Sequence, residues 1–160
     1  MDETSPTAGA AELAAWLTDR SRRFDRWCEE TGAPEGTWDF SPASLVTLEA
    51  LVRARYEGER QVHEDRTGPF LQGTCWYVGE VAVRHRGRRW RYEPFAVAGA
   101  PLPALFGSGQ PGVIDTPTVA APRAGKGQGV DPFGLVLTLF WDLDDDDEPI
   151  EAHLGDVLDD

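Results

Sequence analysis

The sequence lacks long apolar runs and is poor in cysteine and lysine. No apolar run approaches the roughly 20 residues that a membrane-spanning helix needs. The segment from Met1 to Pro6 is acidic and polar, unlike the basic and apolar parts of a signal peptide. Cys28 and Cys75 are too few for a disulfide framework and have no Cys-x-x-Cys spacing. These absences predict a cytoplasmic protein without membrane contact, whose two thiols are free and buried.

The charge of the chain is strongly acidic and unevenly distributed. The 160 residues include 28 Asp and Glu against 15 Lys and Arg, which gives a net charge of −13. Residues 142–160 hold ten of these acids and no lysine or arginine. A run of like charges repels itself and is typically solvated. We therefore expect a flexible N-terminus over residues 1–9, a single globular domain over residues 10–141, and an acidic, disordered tail over residues 142–160.

Apolar periodicity and helix-start signals predict three helices in the first half of the chain. Apolar residues recur at helical spacing from Ala10 to Thr31. The pair Ser41-Pro42 supplies an N-cap and a first-turn proline for a second helix that continues toward Val62. Pro69 begins a third segment, up to Val83, that is apolar nearly all round and is expected to be the central buried helix. A strand over residues 76–83 is the competing interpretation, because valine and aromatic residues favour strands.

Two glycines inside that third segment, Gly73 and Gly79, predict close packing. Each lowers helix propensity by about 1 kcal/mol relative to alanine. A glycine retained inside a helix usually marks a place where a neighbouring element comes close. We therefore expect other parts of the chain to pack against the third helix at these two positions.

The second half of the chain predicts a small sheet and a last helix. Residues 88–93 alternate as a strand does, and this strand could continue to Val97. Residues 112–115 with 118–119 give a second strand, with Pro117 at an edge or bulge. Asp131-Pro132 is an N-cap pair for a short helix that ends near Trp141, although a buried strand fits the same residues. The order of elements predicts an α+β fold, with three to four helices packed on a small antiparallel sheet.

A basic cluster follows the third helix and includes two aromatic residues. Arginine forks bind phosphate or carboxylate, and an adjacent aromatic ring can stack on a base, so the cluster suggests an anion or nucleic-acid site. The competing interpretation is a helix end and a strand whose arginines face solvent or pair with local acids. The strongly acidic net charge argues against general nucleic-acid binding. The candidate residues are Arg84, Arg86, Arg88, Arg89, Trp90 and Arg91.

Glu80 is a charged residue in a segment that is predicted to be buried. An ionised carboxylate in such a place must be paired or have its pKa raised. Arg84 lies four residues later, in the favourable orientation for a helical ion pair, and Arg89 or Arg91 could also reach Glu80 from the strand. Glu80 is therefore a candidate acid or base in a ligand pocket, or else one half of a structural ion pair.

The sequence has no specific catalytic, metal or cofactor motif. The glycine-rich segment around Lys126 lacks the spacing and the Ser or Thr of a phosphate-binding loop. The acidic residues after Asp142 do not have the spacing of an EF-hand, and the histidines have no metal-ligand spacing. We expect no catalytic residue, metal or cofactor, and we leave open whether the chain has an enzymatic activity.

The stretch from Tyr77 to Val81, followed by Gly87 and Trp90, resembles a pattern in small uncharacterised bacterial proteins. In that pattern a helix with a Gly-Glu pair leads into a strand with a tryptophan. Some small acidic proteins of this general build are immunity proteins. The resemblance covers some 20 residues of the chain, and it implies a bacterial protein of that kind without assigning any functional residue.

Together these features favour a non-catalytic protein-interaction or regulatory protein. Its sharpest form is an immunity- or antitoxin-like inhibitor of a basic partner protein, bound in part by the acidic tail. One alternative is a small-ligand protein or enzyme with a pocket around Glu80. A second alternative is a nucleic-acid accessory factor that uses residues 84–91. The candidate contact residues in the tail are Asp144, Asp145, Asp146 and Asp147.

Overall fold

The computed structural model describes residues 4–108, 110, 112–125, 127–141 and 151–159. These residues form an α+β fold, as predicted, with six helices where three to four were expected. None of the helices in this part of the chain is long and apolar enough to cross a membrane. The elements are α1 (Thr4–Arg22), α2 (Phe24–Thr31), α3 (Pro42–Arg55), α4 (Glu59–Glu64), α5 (Pro69–Arg86), β1 (Arg89–Arg91), β2 (Thr118–Ala120), α6 (Pro132–Thr138) and a 3₁₀ helix (Leu154–Leu158).

The single helix predicted over residues 10–31 is two helices, α1 and α2, separated at Arg23. The break lets the aromatic residues on either side meet different partners. Trp16 packs edge-on against Trp90, while Trp27 stacks on Tyr77 of α5. Helix α1 also begins at Thr4, within the stretch of residues 1–9 for which the sequence predicts a flexible N-terminus, and that flexibility stays a prediction. Gly9 is buried there because the backbone of Tyr92 passes so close that an added Cβ would lie 3.1 Å from its carbonyl oxygen.

Helix α3 begins as predicted, because the Ser41 side chain accepts a hydrogen bond from the Ser44 amide at 3.2 Å. It ends at Arg55 and does not continue toward Val62. Tyr56 has an extended backbone, and α4 starts after a short turn. The Tyr56 hydroxyl donates a hydrogen bond to Asp65 just after α4. This turn places both the Tyr56 ring and Val62 in the core, which one straight helix would not do.

Helix α5 is the central buried helix, and this prediction is confirmed. It begins at Pro69 and ends before Gly87, whose φ of 63° is the left-handed conformation of a helix C-cap. Both internal glycines sit under indole rings. A Cβ added at Gly73 would lie 2.3 Å from Trp27, and one added at Gly79 would lie 2.2 Å from Trp90. The two glycines are therefore required because side chains from α2 and β1 pack directly on the helix backbone.

The sheet is an antiparallel ribbon longer than its two named strands. β1 pairs with β2, and Trp90 lies opposite Val119. Phe95 and Ile114 pair further along in the same register, joined by two backbone hydrogen bonds of 3.1 and 2.9 Å. Val130 pairs with the other side of Val119. That second pairing cannot extend toward α6, because its next hydrogen-bonded position in that direction would set Pro117 opposite Pro132, and proline has no N–H to donate.

The end of the chain differs from the predicted disordered tail. Residues 154–158 form a 3₁₀ helix whose Leu154 and Val157 side chains are fully buried. Their spacing of three residues puts both on one side of the helix, against α3, α5 and α6. The acidic composition of this stretch concealed these two apolar residues in the sequence. Because they are buried in the core, residues 151–159 belong to the globular domain. Residues 142–150 lie outside the described part of the chain.

Helix α6 begins at Pro132 with Asp131 as its N-cap, as predicted, and spans Pro132–Thr138. The Asp131 carboxylate accepts a hydrogen bond from the Phe133 amide at 3.0 Å. Arg53 of α3 joins this helix to the end of the chain, because its guanidinium donates to the carbonyl oxygens of Leu139, at 2.7 Å, and Ala152, at 3.1 Å. The core therefore lies between α5, α3, α6 and the 3₁₀ helix.

Candidate functional site

The predicted basic cluster does not converge on one point. The Arg84 guanidinium lies 3.7 Å above the centre of the Phe40 ring and 3.6 Å from Glu80. The Arg91 guanidinium turns to the loop after β2 and donates to the carbonyl oxygens of Gly125 at 3.2 Å and Ala121 at 3.4 Å. These two arginines therefore contact separate parts of the fold.

The other arginines of the cluster spread further. Arg88 donates to the backbone carbonyl of Asp159 at 3.2 Å, so one of its contacts is with the end of the chain. Arg86 lies in the last turn of α5, where a cation interacts favourably with the helix dipole. The side chains of Arg86 and Arg89 are exposed. A nucleic-acid role for this stretch stays a prediction.

Glu80 is held by two neighbours inside the fold. Its Oε2 accepts a hydrogen bond from the Trp90 indole at 2.8 Å, and its Oε1 lies 3.6 Å from the Arg84 guanidinium, the partner predicted from helical spacing. Arg91, which the sequence offered as another partner, binds loop carbonyls instead. The indole that contacts Glu80 is the same ring that covers Gly79. These contacts explain why a carboxylate stands at this position, and the ligand pocket around it stays a prediction.

Phe40, whose ring lies under the Arg84 guanidinium, has an unusual backbone conformation. Its φ of 61° is left-handed, a region that non-glycine residues rarely adopt. Side chains of α5 hold it there: the Tyr77 hydroxyl accepts a hydrogen bond from the Phe40 amide at 2.8 Å, and His85 Nε2 lies 2.8 Å from its carbonyl oxygen. The Arg84 contact is thus part of a fixed junction between the α2–α3 loop and α5.

The four candidate acids of the tail, Asp144, Asp145, Asp146 and Asp147, lie outside the described residues. The residues on either side of this gap are anchored. Trp141 donates its indole N–H to Glu59 at 3.0 Å, and Arg53 holds the Ala152 carbonyl. The acidic segment is therefore tethered to the globular domain at both of its flanks.

A cleft of about 300 Å³ lies along one face of the ribbon. Because alternate residues of a strand share a face, the paired positions of the ribbon contribute Glu93 and Phe95 from one side and Ile114, Thr116 and Thr118 from the other. The neighbouring segment closes the cleft with Gly127, Gly129 and Asp131. Gly129 allows this close approach, since an added Cβ would lie 2.5 Å from the Thr118 hydroxyl oxygen.

Asp131 is a half-buried carboxyl group of this cleft and contacts the buried Thr116. Its carboxylate accepts hydrogen bonds from the Thr116 hydroxyl at 2.8 Å and the Phe133 amide at 3.0 Å. Burial raises the pKa of Asp131 despite these hydrogen bonds, and the nearby Asp115 raises it further. Glu93, on the other side of the cleft, is half-buried. The cleft therefore combines apolar side chains with two carboxyl groups, and the lining residues that the structure describes include no cationic side chain.

Arg66 holds the loop that connects the two halves of the ribbon. Its guanidinium donates to the Asp115 carboxylate at 2.7 Å and to the Phe106 carbonyl at 3.2 Å, and it stacks over the Phe133 ring. Asp115 also accepts a hydrogen bond from the Ser108 amide at 2.8 Å. The loop thus has a rigid base, although its outer side chains are exposed.

Two of the six large apolar side chains that are exposed in the described chain line the cleft. Phe95 is 53% exposed and Ile114 is 47% exposed, and both line the cleft. Val97 and Leu102, also exposed, belong to the loop that follows Phe95. A monomeric protein normally scatters such residues, and a concentration of them marks an interaction site. We call Glu93, Phe95, Ile114 and Asp131 the ribbon cleft residues.

Sequence reasoning did not single out the ribbon cleft residues as a site. The two strands, the first with a possible extension to Val97, and the Asp131 cap were predicted, but the register that sets Phe95 opposite Ile114 was not. The alternation of polar and apolar residues on either side of the proline-rich loop is the signal that could have found it.

No protein-family model, curated protein or solved structure matches this chain. The resemblance of residues 77–90 to small bacterial proteins stays a prediction.

Proposed function

We propose that this chain is a non-catalytic protein-interaction protein that binds a basic partner protein through the ribbon cleft. The observation that supports the proposal is the pair of exposed apolar side chains, Phe95 and Ile114, in a cleft whose charged residues, among those that the structure describes, are both acidic. Apolar side chains supply the binding energy of protein interfaces when they are removed from water, and charge complementarity selects the partner.

The chemistry of the cleft defines the segment of the partner that it accepts. Phe95 and Ile114 require an apolar side chain that fills the space between them. Glu93, at the edge, favours a lysine or arginine next to that side chain. The net charge of −13 speeds the encounter with a basic protein and makes the association rate depend on salt. The occupant that we propose is an exposed segment of a partner protein with an apolar residue flanked by a basic one.

The finer form of this proposal is an immunity- or antitoxin-like inhibitor of a basic partner, with the acidic segment as a second contact. Reversing the charges of Asp144, Asp145, Asp146 and Asp147 should slow association and flatten its salt dependence. Deleting residues 142–160 is the wrong test, because it also removes the buried Leu154 and Val157 from the core. Unchanged association kinetics in the charge-reversed variant would remove the acidic segment from the proposal.

A peptide selection tests the ribbon cleft directly. We expect the purified protein to enrich, from phage-displayed random peptides, sequences in which an apolar residue neighbours lysine or arginine. The double variant Phe95→Ser/Ile114→Ser should lose these peptides, because the walls of the cleft are removed while the buried residues below are untouched. Val46→Ser is the matched control, since Val46 is 73% exposed on α3 and does not line the cleft.

Two outcomes would contradict the proposal. One is a set of selected peptides with no preference for basic residues. The other is equal binding of the selected peptides to the double variant and to Val46→Ser. The same pair of variants then serves in purification from native cells, where a partner that binds the cleft must be retained by Val46→Ser and lost by the double variant.

A further inference from the structure

A second cleft, of about 170 Å³, lies where α1, α2 and the start of α5 meet. It is separate from the ribbon cleft and differs from it in charge. Three arginines and one glutamate contribute its charged lining, in a protein whose net charge is −13. The lining residues are Arg20, Arg23, Arg26, Trp27, Glu30 and Pro69.

Arg20 is an unusual member of this cleft, because its side chain is only 9% exposed. Its Nη2 donates to Asp19 at 3.1 Å, and its Nη1 lies 3.5 Å from the Pro69 carbonyl oxygen. Its Nε is buried and has no acceptor among the described residues. A buried charged donor without an acceptor is unfavourable by more than an ordinary unmade hydrogen bond. Arg20 therefore has hydrogen-bonding capacity that the described protein leaves unused.

Arg23 and Arg26 form the open side of the cleft. Arg23 shares the Asp19 carboxylate with Arg20, through a contact of 3.0 Å from its Nε. Burial of Asp19 opposes its ionisation, yet the hydrogen bonds from Arg23 and Arg20 lower the pKa of this carboxyl overall. Arg26 makes only a long contact of 3.5 Å with Glu30, and its side chain is exposed. Arg20 and Arg23 thus already donate to one carboxylate, that of Asp19, while Arg26 is held only by its long contact with Glu30.

The first turn of α5 adds to the positive potential of the cleft. Pro69 is the first residue of this helix of 18 residues, and the N-terminus of a helix attracts anions. The Trp27 indole forms the floor and donates its own N–H to the Phe70 carbonyl at 3.1 Å. Planar guanidinium groups that converge on a small cleft suit the several oxygens of a phosphate group.

We propose that this cleft binds a phosphate group, either free phosphate or the phosphate of a small monoester, through Arg20, Arg23 and Arg26. The anion takes the place of Glu30 beside Arg26 and draws the Arg20 guanidinium toward the opening of the cleft, where its Nε gains an acceptor. The site does not depend on the ribbon cleft, and its ligand need not accompany the partner protein.

The test is a titration of the ¹⁵N-labelled full chain with inorganic phosphate, followed through the Nε–Hε signals of its arginines. Sodium chloride at matched ionic strength is the reference. We expect the Arg20 and Arg26 signals to move with saturation in phosphate and to stay in place in chloride. Arg22, which is exposed in the same region but does not line the cleft, should not respond. Equal changes in phosphate and chloride would overturn the proposal.

Variants provide the decisive arm of the experiment. Arg23→Gln/Arg26→Gln alters two exposed side chains, so the fold should persist, and phosphate affinity should fall by at least about tenfold because charge-assisted hydrogen bonds are lost. Arg22→Gln is the matched control and should bind as the original chain does. Glu30→Gln should bind a few-fold more tightly, since it removes the competing carboxylate. An unchanged affinity in Arg23→Gln/Arg26→Gln would overturn the proposal.

A parallel titration with phenyl phosphate distinguishes the two sources of the phosphate group. Binding at least as tight as that of inorganic phosphate identifies a monoester site, because the opening then tolerates an organic substituent. Binding of inorganic phosphate alone identifies a site for the free ion. Saturable binding of neither compound would overturn the proposal.

Discussion

The protein has two groups of arginines. One group is crowded in the sequence but dispersed in space, whereas the other is spread along the sequence but lines one cleft. Five arginines lie within residues 84–91, yet their side chains point to the Phe40 ring, the loop after β2, the end of the chain and solvent. Arg20, Arg23 and Arg26 are spaced by three residues, and they converge on one cleft. Whether arginine side chains converge therefore depends on the periodicity of the helix or strand that carries them, and not on how closely the arginines follow one another in the sequence.

The physical reason is the geometry of the two segments. Residues 84–91 pass from the last turn of α5 through Gly87 into β1, so consecutive side chains first rotate around a helix and then alternate across a strand. Arg20, Arg23 and Arg26 each advance nearly one helical turn, so they stay on one side across the break between α1 and α2. In the first group, Arg84, Arg88 and Arg91 contact separate parts of the fold. The second group lines a single cleft, where we propose that it binds an anion.

The largest expected effect is at Trp90, in the middle of the crowded group. Trp90→Ala removes the indole that covers Gly79 and packs against Trp16, and it should lower the free energy of unfolding by about 3 kcal/mol. Urea denaturation followed by circular dichroism measures this change. Arg89→Ala, at the adjacent exposed position, is the control and should stay within about 0.5 kcal/mol. Equal effects of the two substitutions would break the comparison.

The next effect concerns Glu80, and two substitutions separate its roles. Glu80→Ala leaves the Trp90 indole N–H without its acceptor and should destabilise the fold by about 1–2 kcal/mol. Glu80→Gln keeps an acceptor for the indole and loses only the ion pair with the exposed Arg84, so it should change stability by less than about 0.5 kcal/mol. A large effect of Glu80→Gln in the same denaturation experiment would show that the charge of Glu80, and not its packing, is what matters.

A smaller effect concerns the segment at residues 153–159, which Arg88 contacts and which Glu49 anchors. Glu49 lies 3.0 Å from His153 Nδ1 and accepts a hydrogen bond from the Leu154 amide at 2.8 Å. Glu49, with a smaller contribution from Glu151, raises the pKa of His153. Burial opposes ionisation of Glu49, but the bonds from His153 and the Leu154 amide lower the pKa of Glu49 overall.

These two shifts define a pH window. The contribution of His153 is complete below the ordinary histidine pKa of about 6.5 and is lost as the pH rises through its raised folded value. The contribution of Glu49 is present above the ordinary glutamate pKa of about 4.3 and is lost as the pH falls through its lowered folded value. Residues 154–158 should therefore be held more firmly at pH 5.5 than at pH 8. Hydrogen exchange, corrected for the intrinsic rate, measures this difference, and it should disappear in His153→Gln.

The smallest expected effect is on nucleic-acid binding. Arg84 and Arg91 are engaged within the fold and the chain is strongly acidic, so we expect no retardation of single- or double-stranded nucleic acid in a gel at low salt. The double substitution Arg86→Gln/Arg89→Gln, at the exposed positions, should change neither this result nor stability. Retardation that falls steeply with salt and is lost in the double variant would show that the arginines of residues 84–91 bind nucleic acid.

Local signals predicted the parts of this fold that depend on neighbouring residues. Ser41-Pro42 and Asp131-Pro132 start helices, and Gly73 and Gly79 accept indole rings, as the sequence indicated. Such signals work because a cap or a helical glycine is decided within one or two turns. The partner rings, Trp27 and Trp90, could not be assigned from the sequence, since each contact joins residues that are distant along the chain.

The features that the sequence concealed depend on long-range packing. The ribbon cleft requires Phe95 to meet Ile114 across a proline-rich loop that Arg66 fixes in place. The break at Arg23 follows from the different partners of Trp16 and Trp27. Residues 151–159 were assigned to a solvated tail because their charge outweighed Leu154 and Val157 in the composition of that stretch. Composition describes an average, whereas burial is decided residue by residue.

The packing of Leu154 and Val157 has a consequence for how the protein is made. These side chains cover α6 and also α3 and α5, and a ribosome, working from the N-terminus, produces α3 and α5 much earlier. Until residues 154–157 emerge, the nascent chain must keep the apolar surfaces of those helices uncovered. Since the contacts of Glu49 with Leu154 and of Arg53 with Ala152 span about a hundred residues, closure of the core is a late event. We therefore expect the growing chain to depend on chaperones that hold exposed apolar surface during translation.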